Sequence, residues 1–121
     1  MTVISWAWPA STIVRIIDGD SFIAEVHRDL GFHGTATFLQ KMRLNRINCP
    51  PATSDKGRAA TVQSGVLMIG QVVSIETTGA YKFGDEWMAE VTLLDGRNVS
   101  DALVAAGVAV YWDGNGPRPG G

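Results

Sequence analysis

Apolar and polar residues alternate along much of the chain, which is the period of a strand with one buried face. Thr12 to Ile17 is rich in β-branched residues and predicts a first strand. After Asp18-Gly19-Asp20, the segment Ser21 to His27 places Phe22, Ala24 and Val26 on one side and predicts a second. Gly31 and Gly34 mark Arg28 to Ala36 as a loop. Thr37 to Ile47 predicts a third strand, with Met42 and Leu44 on one face and Lys41, Arg43 and Asn45 on the other. Cys49-Pro50-Pro51 ends it, because proline brings no ladder donor and restricts the residue before it.

The period then changes. Ala59, Val62, Val66 and Ile69 fall close to helical spacing, predicting a helix from about Gly57 to Ile69 that Thr53, Ser54 or Asp55 can cap. Gln71 to Thr77 and Trp87 to Leu94 predict two more strands, joined by the hairpin loop TGAYKFGDE. Asp95-Gly96 turns into NVSDALVAAG, a short helix with Asn98 and Asp101 at capping-box spacing and Gly107 at its far end. This order predicts a mainly β, α+β architecture: a five-stranded OB-fold Greek-key barrel with two short helices. The expected organisation is an N-terminal extension over 1–10, one domain over 11–112 and a Gly/Pro-rich tail over 113–121.

Composition narrows the function classes. With 121 residues, 45% hydrophobic and 18% charged, the chain has enough apolar sequence for one core. Ten basic against twelve acidic residues give a formal charge of −2, so any nucleic-acid contact must come from a local patch. Lys41, Arg43, Arg46, Lys56 and Arg58 form such a stretch, or else an ordinary solvated face. The single cysteine, Cys49, cannot form an internal disulfide and reads as a small buried filler. His27 and His33 lack partners at zinc-ligand spacing and read as surface histidines. The N-terminus lacks a secretory pattern, and no stretch is long and apolar enough to span a bilayer. The expectation is an intracellular protein without a membrane partner.

The runs IIDGDSF, KMRLNRINCPP, YKFG and DGRNVSDALVAAGVAV, in this order from about Ser11 to Tyr111, resemble the staphylococcal nuclease (thermonuclease-like) domain. The resemblance is to its short phage and bacterial versions. It implies an OB barrel carrying a calcium-dependent phosphodiesterase of single-stranded DNA and RNA. On this resemblance Asp20 matches a calcium aspartate, with Asp18 beside it, and Asn48 stands where a second such aspartate is usual. Cys49 would offer calcium only its backbone carbonyl. Arg43 matches the first catalytic arginine. Lys82 and Phe83 fall beside the nucleotide, and Tyr111 or Trp112 where bases stack. Arg46 would join the phosphate-binding rim.

Two departures matter. Pro51 occupies the place of the catalytic glutamate, and Asp85 and Glu86 follow Gly84 where a second arginine is expected. Losing a general base costs about 10² to 10⁴ in rate, and losing a transition-state donor roughly 10² to 10³. The expectation is therefore a degraded site that binds a nucleotide or short single strand without efficient cleavage, with calcium held weakly. Two alternatives stand beside it: a calcium-dependent nuclease whose base is relocated to Glu86 or Asp55, and a protein-interaction module on the same fold. DGD read alone favours a plain hairpin turn over a metal site, and only the resemblance brings the two readings level. Trp6 and Trp8 have no assignment.

Overall fold

The computed structural model describes residues 6–80 and 85–113. Among the described residues seven strands and two α-helices follow in the order β1 (Trp6–Asp18), β2 (Ser21–Asp29), β3 (Thr35–Leu44), β4 (Ile47–Asn48), α1 (Asp55–Met68), β5 (Val72–Ala80), β6 (Trp87–Thr92), α2 (Val99–Ala105) and β7 (Val110–Tyr111). Five of the strands close a barrel in the order β1-β2-β3-β6-β5. All its neighbours are antiparallel except β3 and β6, which run parallel from Met42↔Trp87 to Leu44↔Ala89. This is an OB-type mixed barrel with two short helices. The two remaining strands, β4 and β7, form a separate short pair.

The predicted alternation is what fills the barrel. Phe22, Ala24, Val26, Met42, Leu44, Val73, Ile75, Ala89 and Val91 are all fully or almost fully buried. The first strand is longer than the sequence pattern suggests. Trp6 to Ala10, set apart as an extension, are the first five of its thirteen residues, and Trp8 is buried in the core. There Trp8 stacks on Trp87 with ring centroids 5.8 Å apart, and Phe38 meets both rings edge-on.

The first helix corrects a second expectation. Its buried residues are Gly57, Ala60, Ser64 and Met68, whereas Val62 and Val66 are 66% and 71% exposed. Close approach explains the choice. A Cβ on Gly57 would lie 1.8 Å from the Pro51 carbonyl oxygen, and one on Gly19 would meet the Ala60 Cβ at 2.7 Å. The Ser64 hydroxyl donates to the Gly19 carbonyl. Small residues therefore let α1 seat directly on the β1–β2 turn, which fixes the ground on which the candidate site stands.

Candidate functional site

Three separated segments converge at the end of the β1–β2 hairpin. The turn supplies Asp20, β3 supplies Arg43 and β4 supplies Asn48, each buried. One Arg43 Nη lies 3.1 Å from Asp20 Oδ2 and donates to Asn48 Oδ1 at 3.2 Å. The Cys49 N–H donates to the same Asp20 oxygen at 3.0 Å. Asp18, half-buried, accepts from the Asp20 N–H at 3.2 Å and so stands one residue away. Arg43 belongs to the strand face opposite Met42 and Leu44, yet the turn and β4 cover it.

Burial is the largest influence on Asp20 and pushes its carboxyl up from 3.8 to about 6. The neighbouring Asp18 adds to this, while Arg43 and the Cys49 N–H oppose it. Burial, reinforced by Asp20 and Asp18, likewise pushes the Cys49 thiol up to about 12. An uncharged thiol packed against Gly19 is a filler, not a nucleophile.

The oxygen cluster suits a guanidinium better than calcium. Calcium takes six to eight oxygens, usually with several carboxylates. Here two carboxylates and one amide stand together, and the Arg43 cation bonds to Asp20 and Asn48. Among the described residues no group of three or more His, Cys, Asp or Glu side chains is placed to hold a metal. The donor set therefore does not fit a calcium ion in this arrangement.

Pro51 is exposed, and its carbonyl accepts from the Ser54 N–H at 2.9 Å and the Ser54 hydroxyl at 2.7 Å. That residue thus starts the cap of α1 instead of offering a base. Both candidate replacement bases are engaged: Glu86 lies 3.2 Å from Lys41 Nζ, and Asp55 pairs with Arg58. Glu86 follows Asp85, whose carbonyl accepts from Gln40.

A second constellation adjoins the first and joins the candidates Arg46, Tyr111 and Trp112 to Glu90 and Asp101, which sequence reasoning missed. Arg46, in the left-handed region at φ 68°, sends two N–H groups to Glu90 at 2.9 and 3.0 Å. It also donates to Asp101 at 3.0 Å and Asn98 at 3.1 Å. The Tyr111 hydroxyl donates to the same Asp101 oxygen at 2.8 Å. The Trp112 N–H donates to the Arg46 carbonyl at 2.7 Å. Arg46, Tyr111, Trp112 and Asp113 border a hollow of about 510 Å³. A crevice of about 30 Å³, also lined by Arg46 and Trp112, continues from there to Arg43. Space of that size holds a water molecule but not a phosphate.

The structure thus gathers Asp20, Arg43, Asn48 and Cys49 in one cluster and Arg46, Tyr111 and Trp112 in the next. Lys82 and Phe83 lie outside the described residues. The paired roles of Glu90 and Asp101 had no signal in the sequence beyond the cap spacing of Asn98. His27 contacts Thr37 at 2.9 Å and lies 3.8 Å from Glu25, at the barrel surface. Among the described residues no helix is long and apolar enough to cross a membrane. No protein-family model matches the chain, and no curated protein matches it.

Proposed function

We propose that this chain is a staphylococcal-nuclease-like barrel that binds a small phosphate-bearing ligand, a nucleotide or short single strand, without cleaving it efficiently. The convergence of Asp20, Arg43 and Asn48 from three segments carries this reading, because a plain hairpin turn needs no buried arginine. The base would rest on Tyr111 and Trp112 with the phosphate beside Arg46, and the crevice toward Arg43 would have to widen for the phosphate to reach it. Reaching Arg43 requires the ligand to exchange with Asp20, so binding is modest. Pairing of Lys41, Arg46 and Arg58 with carboxylates leaves little positive field for a long polyanion and favours a ligand with one or two phosphates.

Cleavage is not supported, since Pro51 brings no base and Glu86 and Asp55 are tied to cations. The test is incubation of single-stranded DNA with the purified protein in calcium and then in chelator, beside Arg43→Ala. The expected result is no calcium-dependent cutting, together with a rise in unfolding temperature in millimolar deoxythymidine diphosphate that Arg43→Ala removes. Calcium-dependent cutting that disappears in Arg43→Ala would establish a working nuclease and overturn the reading. The absence of any nucleotide stabilisation would leave the protein-interaction alternative, to which the far end of the barrel gives separate support.

A further inference from the structure

The β1–β2 seam is open at the end opposite Asp20. The two strands pair from Asp18↔Ser21 only as far as Thr12↔Glu25. β1 nevertheless continues back to Trp6 along β5, and β2 continues to Asp29 along β3. Residues 7–11 and 27–29 consequently line a hollow of about 370 Å³ between two strand edges that do not meet. The β1 edge is blunted, because Pro9 has no N–H and the Trp8 carbonyl already accepts from the Ser11 hydroxyl at 3.1 Å. The β2 edge, Val26 to Asp29, is left as the template. Its four residues span roughly 13 Å at the rise of a strand.

Arg28 stands in the same hollow. Its Cζ lies 4.4 Å from the Trp8 ring centroid and 4.9 Å from that of Trp6. Among the described residues its guanidinium makes no hydrogen bond and no ion pair. Stacking on the two indoles fixes the plane of the fork and leaves its N–H edges to receive a carboxylate. The neighbouring acids are occupied: Asp29 accepts from the Gly31 N–H at 2.8 Å, and Glu25 faces His27.

We propose that this seam is a docking groove for an extended peptide segment of a partner protein that carries a single carboxylate among otherwise neutral residues. The segment pairs its backbone with the β2 edge and places one Asp or Glu side chain on Arg28. An unpaired strand edge recognises a polypeptide backbone, which gives affinity through ladder hydrogen bonds. The single cation, flanked by Glu25 and Asp29, selects one carboxylate and disfavours a polyphosphate chain. The groove is separate from the proposed nucleotide site, so either proposal can fail alone.

A capped heptapeptide of threonine and valine with one central glutamate is the probe, beside the same peptide with glutamine. Backbone amide spectra of the full chain read the site directly. The glutamate peptide should shift the Val26–Asp29 amides and bind at least tenfold more tightly than the glutamine peptide. Arg28→Gln should abolish that difference, and Arg28→Lys, which keeps the charge but loses the fork, should shrink it. Shifts confined to other amides, equal binding of the two peptides, or no shift at millimolar peptide would overturn the proposal. So would an oligothymidylate that moves these amides where the peptides do not.

Discussion

Asp20 and Arg43 form a buried pair whose strength depends on pH. The folded chain holds the Asp20 proton more tightly than the unfolded chain does, since the carboxyl stands at about 6 instead of 3.8. Its contribution to stability is therefore complete below pH 3.8 and falls as pH rises through about 6, by about 3 kcal/mol over the interval. The Asp20 carboxyl carbon should titrate near pH 6 by NMR, and Asp20→Asn should flatten the profile of unfolding free energy against pH. A midpoint below pH 4 would show that Arg43 outweighs burial. Removing Arg43 leaves the carboxylate without its counter-ion, a loss of about 3–5 kcal/mol for buried pairs. The Asp20 proton offers an escape, so Arg43→Ala should be distinctly less damaging at pH 5 than at pH 8. Urea unfolding at the two pH values measures the contrast, and adding Asp20→Asn to Arg43→Ala should erase it.

At the scale of elements, strands were more legible than the helix face. In β2 the alternating set Phe22, Ala24 and Val26 is the buried one, and in β3 Met42 and Leu44 are buried as the alternation predicts, although Arg43 between them is buried too. In α1 Val62 and Val66 point outward while the small residues Gly57, Ala60 and Ser64 point inward with Met68, because the helix must seat against Gly19 and the Pro51 carbonyl. A periodicity weighted by hydrophobicity finds Val62 and Val66 and overlooks Ala60 and Ser64. The difference is measurable. Val66→Lys should change stability by less than about 0.5 kcal/mol, whereas Ala60→Leu should cost about 1–3 kcal/mol through overpacking. The start of α2 was readable, since Asn98 accepts from the Asp101 N–H at 3.0 Å as the cap spacing implies. Its other task was hidden: the same side chain also serves Arg46 and Glu90. Asn98→Ala should accordingly exceed the loss of about 1 kcal/mol typical of a cap. The β4–β7 pair is only two residues a side, too short for any periodic signal.

For the whole molecule, the two ends of the β1–β2 hairpin do different work. One end buries ionic groups around Arg43, and the other buries rings around Trp8. The motifs that stand out in the sequence begin at about Ser11 and include the residues of the first end. The aromatic end depends on residues before Ser11, whose importance no motif announced. Trp8 is 6% exposed, stacks on Trp87, and donates from its indole N–H to the Thr77 hydroxyl at 3.1 Å. It therefore belongs to the core that closes β1 against β5. Trp6 is 53% exposed, and its described ring contact is with Arg28. Two neighbouring tryptophans thus differ sharply in what they hold. Trp8→Ala should cost about 3–5 kcal/mol, as for other large-to-small changes at buried aromatics. Trp6→Ala should cost less than about 1 kcal/mol, near the value of a half-exposed cation–π contact. Denaturant unfolding of both variants, followed by far-ultraviolet circular dichroism, compares them directly. A Trp8→Ala cost as small as that of Trp6→Ala would mean that residues 6–10 act as a loosely held extension, whereas the expected gap makes them the opening five residues of the barrel's longest strand.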